Sequence, residues 1–171
     1  NSVSIWARRS GVKRWPIERA CRLAADLASA LDHCHHRAIP GARIIHRDLK
    51  PANLGLDTND QLVLFDFGLA SLWEVADGDA DGMERRCLTM RTGSLRTMAP
   101  EIMSGCEGYN HKADVYSWAI VLWQMAAHDA PYDSLGAFED HFMHAVAVEV
   151  GARHAACSHP RPLPRPRPDT V

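Results

Sequence analysis

The most informative part of this chain is residues 44–68, which read IIHRDLKPANLGLDTNDQLVLFDFG. Its second half has short apolar runs at 54–56 and 62–65 on either side of the polar residues 57–60. Asx and Thr residues between two apolar runs predict a tight turn, and the whole pattern predicts a β-hairpin.

Four polar side chains flank the predicted hairpin. Asp48, Lys50 and Asn53 lead into it and Asp66 leaves it, so a closed hairpin should bring them to one place. Two carboxylates and an amide suit a hard cation such as Mg²⁺, which shares its ligand shell with water and phosphate oxygens. A lysine adds positive charge for a transferring phosphoryl group. The alternative is a solvated polar hairpin, but chance explains poorly the ordered set His-Arg-Asp-x-Lys-x-x-Asn followed by Asp-Phe-Gly.

These motifs resemble those of the eukaryotic protein kinases. HRDLKPAN at 46–53, DFG at 66–68, APE at 99–101 and DVYSW at 114–118 occur in the family's order. The resemblance covers about residues 15–132 and implies the family's fold.

The resemblance also implies an activity. Asp48 would accept the proton of the substrate hydroxyl, while Asn53 and Asp66 would hold Mg²⁺ on ATP. Lys50 matches the catalytic lysine of serine/threonine kinases, and TGSLRTMAPE at 92–101 is similar to the tyrosine-kinase-like branch. The implied function is a protein serine/threonine kinase that transfers the γ-phosphoryl group of ATP to a protein hydroxyl, with ATP and Mg²⁺ as cofactors.

The resemblance also implies regulatory and structural roles for several residues. Residues 66–101 match the activation segment, and Arg47 is typical of kinases that a phosphate on this segment switches on. Thr89 and Thr92 are the candidate phosphorylation sites, whereas Ser94 matches a substrate-loop residue that contacts the catalytic loop. The residues with implied structural roles are His46, Phe67, Gly68, Glu101 and Asp114.

Composition restricts the class of protein. The chain has 171 residues, 46% of them hydrophobic, and a net charge of −2, so neither a nucleic-acid nor a membrane partner is indicated. The longest uninterrupted apolar run, 118–123, is too short to span a bilayer. Five widely spaced cysteines form no Cys-x-x-Cys pair, which favours a reducing, intracellular (cytoplasmic) setting.

Other motifs of a kinase are missing from the sequence. There is no G-x-G-x-x-G, and Lys13 lies in no apolar strand, so no lysine is available to grip the ATP phosphates from a small lobe. We therefore predict a mainly α fold with short β hairpins, corresponding to a kinase-like C-terminal (large) lobe with the small lobe absent. Because the first residue is Asn1, we expect the chain to begin inside a longer protein.

The predicted organisation has three parts. Residues 1–15 would be the remnant of the segment after the kinase hinge, and 16–150 a partial kinase domain. Residues 151–171 form a Pro/Arg-rich tail, predicted to be disordered, in which prolines fall at even intervals so that P-x-x-P does not occur.

Helices are predicted at three places. An apolar stripe of period three to four runs from Ile17 to Cys34, after a proline suited to a first helical turn. From Val115 the chain is apolar on nearly all sides, which predicts a helix in the middle of the core with Asp114 as its cap. A further helix is predicted within 135–150.

Two possible metal-binding motifs have less support in the sequence than the kinase motifs. The sequence HCHH at 33–36 could bind zinc, but no second ligand pair accompanies it, so a helix end is favoured. Residues 77–82 match the first half of a calcium-binding loop without its second half, so a solvated acidic loop is favoured. Two functional alternatives also remain: a pseudokinase or kinase-like binding module, and an inactive gene fragment.

Overall fold

The structure, a computed structural model, describes residues 16–75, 85, 88–89, 92–103 and 108–132. Outside these residues lie the predictions for the segment 1–15, the acidic loop 77–82, the helix within 135–150 and the tail 151–171.

The described part combines helices with two small antiparallel sheets, as the sequence predicts. In chain order the regular elements are α1 (Ile17–Asp32), β1 (Ala42–Ile45), β2 (Leu54–Leu56), β3 (Leu62–Leu64), β4 (Ser71–Glu74), α2 (Pro100–Met103) and α3 (Lys112–Ala127). A π-helical turn lies at His33–Arg37, and 3-10 turns lie at Pro51–Asn53 and Leu95–Thr97.

The main core lies between α1 and α3. Of the predicted stripe, Ala20, Ala24, Leu27 and Leu31 are buried in α1, and Leu23, which was not predicted, is buried with them. These residues pack in one cluster with Val121 and Met125 of α3. The indole nitrogen Nε1 of Trp118 donates a hydrogen bond of 2.8 Å to the backbone oxygen of Ala24, which joins the two helices directly. Ile17, predicted on the same stripe, is exposed in the first turn of the helix.

The predicted β-hairpin is confirmed. β2 and β3 pair antiparallel, with Leu54 opposite Leu64. The turn closes as an Asx turn, in which Asp57 Oδ1 accepts hydrogen bonds of 2.8 Å from the backbone N–H groups of Asn59 and Gln61. The residues that lead into and out of the hairpin are therefore brought together.

A second sheet was not predicted from the sequence. β1 pairs antiparallel with β4, with Ile44 opposite Leu72. β1 ends just before the HRD motif, and β4 begins just after the DFG motif. The pairing of these two strands therefore keeps the two motifs close to each other. Both strands are four residues long and show no strict alternation of apolar and polar residues, so local pattern does not reveal them.

The helix α3 differs from its prediction in two respects. It is not buried on all sides, because Val115 and Trp123 are 48% and 46% exposed. Asp114 also does not cap it: the helix begins at Lys112, with His111 preceding it and no side-chain cap. The Asp114 carboxylate lies within the first turn and accepts hydrogen bonds from the backbone N–H groups of His46 and Arg47 in the HRD motif instead.

Candidate active site

The centre of the site is the carboxylate of Asp48, which is 6% exposed. Its Oδ2 accepts hydrogen bonds from Lys50 Nζ at 2.7 Å and from Asn53 Nδ2 at 3.2 Å. Its Oδ1 accepts one from Ser94 Oγ at 2.7 Å. Four residues that the sequence singles out are thus joined in one network.

This network keeps the Asp48 carboxylate ionised. Burial by itself would raise the pKa of Asp48, because it disfavours the charged form. The hydrogen bonds from Lys50, Ser94 and Asn53, together with the positive charge of Lys50, outweigh burial and lower the pKa of Asp48 below its ordinary value. At neutral pH the carboxylate is therefore a proton acceptor.

The carboxylate of Asp114, fully buried, holds the backbone of the HRD motif. It accepts hydrogen bonds of 2.8 Å from the backbone N–H groups of His46 and Arg47. A third contact of 2.8 Å joins it to His35 Nε2. Arg47 has a positive φ of 66°, an unfavourable conformation for a residue with a side chain, and these bonds stabilise it.

The side chain of His46 connects the HRD motif to the DFG motif. Its Nδ1 accepts a hydrogen bond from the backbone N–H of Asp48 at 3.3 Å. The ring proton is therefore on Nε2, which donates to the backbone oxygen of Phe65 at 3.2 Å. The ring of Phe67 packs edge-on against the imidazole, with centroids 4.8 Å apart.

The side chain of Arg47 contacts the candidate activation segment. Its Nε donates to the backbone oxygen of Leu69 at 2.7 Å, and its Nη1 donates to the hydroxyl of Tyr109 at 3.3 Å. The same hydroxyl donates to the backbone oxygen of Thr89 at 3.0 Å, which also accepts from Thr92 Oγ1 at 3.1 Å. The two candidate threonines therefore lie near Arg47. Sequence analysis missed Tyr109, because no local motif marks a residue whose contacts are far along the chain.

Gly93 explains how Ser94 reaches Asp48. Its φ is +108°, and a Cβ at this position would lie 2.2 Å from the backbone oxygen of Arg47. Only glycine allows so close an approach of the two segments. The sequence does show a glycine before Ser94 in a hydroxyl-rich segment. It does not show that this glycine packs against the backbone of Arg47, because the two residues are far apart in the chain.

Glu101, Phe67 and Gly68 complete the set of predicted site residues. Glu101 lies half-buried in α2, and the described residues give it no ion pair. Phe67 and Gly68 are exposed, and the backbone N–H of Gly68 makes a long contact of 3.4 Å with Asp66 Oδ1. Asp66 itself is exposed, and among the described residues its carboxylate contacts Gly68 rather than Asp48, Lys50 or Asn53. The predicted convergence of the four polar side chains is therefore incomplete.

Comparison with known proteins decides the family. A sequence model of the protein kinase domain matches residues 6–162. This chain belongs to the protein kinase family. Its HRD, DFG and APE motifs occur along the sequence in the order that is typical of this family.

Curated kinases are similar over most of this chain. Serine/threonine-protein kinase STY17 of Arabidopsis thaliana is 35% identical over 119 residues, covering 70% of the chain and 18% of the relative. Serine/threonine-protein kinase TNNI3K of Homo sapiens is 33% identical over 132 residues, covering 75% and 15%. Dual specificity protein kinase shkD of Dictyostelium discoideum is 37% identical over 120 residues, covering 70% and 14%. The chain thus spans less than a fifth of the length of these relatives.

Protein kinases generally use ATP with Mg²⁺, and two residues of this kinase chain fit the metal. The hydrogen bonds of Asn53 to Asp48 use the amide nitrogen, which leaves the amide oxygen available as a ligand. A hydrogen bond of 3.1 Å from the backbone N–H of Phe65 to the backbone carbonyl oxygen of Asn53 brings the start of the DFG motif close to Asn53 along the backbone. Oxygen donors of this kind match the preference of Mg²⁺.

A helix that spans a bilayer needs about 20 consecutive, mostly apolar residues. Among the residues that the structure describes, no helix of this kinase chain is long and apolar enough to cross a membrane.

Proposed function

We propose that this chain supplies the catalytic part of a protein serine/threonine kinase, which transfers the γ-phosphoryl group of ATP to a hydroxyl of a protein substrate. The observation that carries the proposal is the Asp48 network. A buried, ionised carboxylate lies against Lys50 and contacts Ser94 of the candidate substrate loop. A substrate hydroxyl that enters beside Ser94 would meet both a proton acceptor and a positive charge.

The roles of the residues follow from this arrangement. As the substrate oxygen bonds to the γ-phosphorus and the bond to ADP breaks, the hydroxyl proton passes to Asp48. Lys50 offsets negative charge that develops on the phosphoryl oxygens. Asn53 and Asp66 are the ligands proposed for Mg²⁺, which neutralises phosphate charge.

Arg47, Thr89 and Thr92 are proposed as the regulatory set. A phosphate on either threonine would bring two negative charges close to a guanidinium that now bonds the Leu69 oxygen and Tyr109 hydroxyl. The new ion pair would order the activation segment, and with it the position of Ser94.

The extent of the lobe is also a proposal. We place a large lobe without its small lobe in residues 16–150, with 1–15 as the post-hinge remnant and 151–171 as a Pro/Arg-rich tail. The absence of G-x-G-x-x-G from the sequence supports this division. The number and spacing of the cysteines support an intracellular setting.

Substitution of the two carboxylates tests the assigned chemistry. In the full-length protein, Asp48→Asn removes the proton acceptor and Asp66→Asn removes a metal ligand. We expect each to lower kcat by about 10²–10⁴-fold, measured as phosphate transfer from labelled ATP to a generic protein substrate.

The matched control is Asp32→Asn, an exposed carboxylate at the end of α1 that pairs with Arg37. It should leave the rate within about twofold of the unsubstituted protein. Near-normal turnover of Asp48→Asn would refute the role of base. An unsubstituted protein that is folded but transfers no phosphate would support the pseudokinase alternative.

A further inference from the structure

Three histidines meet where the π-helical turn after α1 packs against the start of α3. They are His35, His36 and His111, the last of which immediately precedes α3. The ring centroids of His35 and His111 are 5.0 Å apart, and those of His36 and His111 are 5.6 Å apart. Nitrogen atoms from all three rings lie within 4.8 Å of one another. The proposed phosphoryl transfer does not account for this cluster.

The His35 ring is held in place by a carboxylate. Its Nε2 bonds the buried Asp114 carboxylate at 2.8 Å, which places the ring proton on that nitrogen. The lone pair is then on Nδ1. Metal-bound histidines commonly use such a carboxylate to hold the ring and its tautomer.

Metal ions bind the neutral form of imidazole. His111 is buried and its ring lies against both His35 and His36, and burial disfavours the charged form of a ring in this position.

We propose that His35, His36 and His111 form a Zn²⁺ site, with water as the fourth ligand. Three imidazole nitrogens suit Zn²⁺, and tetrahedral coordination requires them to be about 3.3 Å apart. The rings must therefore close in by about 1 Å or more. His36 is exposed, so its side chain is able to rotate and the open side admits water.

The charges around the site set its strength. The guanidinium of Arg43, buried nearby, repels a dication, and Arg37 and Lys112 add to this repulsion. The carboxylates of Asp32 and Asp114 oppose it. We therefore expect a dissociation constant of about 1–10 µM, weaker than that of a zinc finger.

The sequence alone argued against zinc because HCHH at 33–36 lacks a second ligand pair. The fold supplies one further ligand, His111, which is more than seventy residues away in the chain. A bound ion would tie the end of α1 to the start of α3. At a hundredfold excess over the dissociation constant, we expect the thermal midpoint to rise by about 5–10 °C.

The experiment is a titration of the intact, chelator-treated protein with Zn²⁺ alone, followed by calorimetry, with X-ray absorption to identify the ligands. We expect one ion bound by three imidazole nitrogens at about 2.0–2.1 Å. His36→Ala should weaken binding at least tenfold, and this exposed position leaves the fold intact. The double variant His36→Ala/His111→Ala should abolish the site.

His33→Ala is the matched control, since His33 is exposed on the same turn but lies outside the cluster. It should bind Zn²⁺ as the unsubstituted protein does. The proposal is overturned by an absence of binding up to about 100 µM Zn²⁺. Binding that His36→Ala and the double variant leave unchanged would overturn it equally, because the ion would then lie elsewhere.

Discussion

At the scale of single residues, the site depends on the close approach of two backbone segments. Gly93 packs against the backbone of Arg47, and Ser94 beside it bonds the Asp48 carboxylate. The absence of a side chain at Gly93 is as much a requirement of the site as the carboxylate itself. Gly41 offers a comparison, because it also has a positive φ, of 72°, but a Cβ there would meet no atom within 4 Å.

Gly93→Ala should therefore be more harmful than Gly41→Ala. Both variants place an alanine at positive φ, which costs about 1–2 kcal/mol, but only the first adds a clash with the Arg47 oxygen. We expect Gly93→Ala to lower the free energy of unfolding by about 3 kcal/mol or more and to reduce kcat as Ser94 moves away from Asp48. Urea denaturation of both variants measures this. Equal destabilisation would contradict the close contact.

At the scale of secondary-structure elements, one carboxylate joins the end of the α1 region, α3 and the HRD motif. Asp114 lies in the first turn of α3 and bonds His35 as well as the backbone of His46 and Arg47. A second link joins α3 to the candidate activation segment, where Ser117 Oγ donates to the backbone oxygen of Thr97 at 2.7 Å. The helix thus positions two loops at once.

Asp114→Asn tests this arrangement. An amide has only one oxygen, so its NH₂ group would face a backbone N–H and leave buried donors without an acceptor. We expect a loss of about 2–4 kcal/mol in the free energy of unfolding, measured by urea denaturation. The control is Asp129→Asn, an exposed carboxylate, which should change stability by less than about 0.5 kcal/mol. A near-neutral effect of Asp114→Asn would show that the loop holds its conformation without this acceptor.

Phosphorylation of the activation segment is a second prediction at this scale. The Tyr109 hydroxyl joins the backbone oxygen of Thr89 to the Arg47 guanidinium, and Thr92 Oγ1 donates to the same Thr89 oxygen. Phosphate on either residue would pair with Arg47, order the segment and raise activity. Mass spectrometry of the active full-length protein should find phosphate at one of these positions. An active form with neither residue modified would rule out this switch.

At the scale of the whole molecule, the proposed large lobe would form one side of a nucleotide clamp. Asp48, Asn53 and Asp66 are present, but no G-x-G-x-x-G occurs in its sequence. Large apolar side chains also remain exposed around the DFG motif, namely Val63, Phe65, Phe67, Leu69 and Leu72. Exposed apolar surface of this kind promotes association in water.

The 171-residue chain by itself should therefore neither bind Mg-ATP tightly nor phosphorylate substrates. Without a phosphate-gripping partner the γ-phosphate stays free to move, and misplacement alone costs about a hundredfold in rate. Calorimetric titration of the isolated chain with Mg-ATP is the measurement. A dissociation constant in the low micromolar range, or turnover that Asp48→Asn abolishes, would contradict the prediction.

The sequence by itself determined the family, the hairpin and the grouping of Asp48, Lys50 and Asn53. These features are local: the residues lie within a few positions of one another, and turn chemistry and alternation act at that range. The buried stripe of α1 was readable for the same reason, since helical periodicity repeats every three to four residues.

Only the tertiary structure decided which distant residues meet. The pairing of β1 with β4, the approach of Gly93 to Arg47, the Tyr109 bridge and the arrival of His111 beside His35 all join residues far apart in the chain. For Asp114, the local pattern predicts a helix cap that does not form, whereas its contact with the HRD backbone is the one that the resemblance to protein kinases implies. Such contacts arise from the burial of whole elements against each other, and no local pattern specifies which polar groups that burial brings into reach.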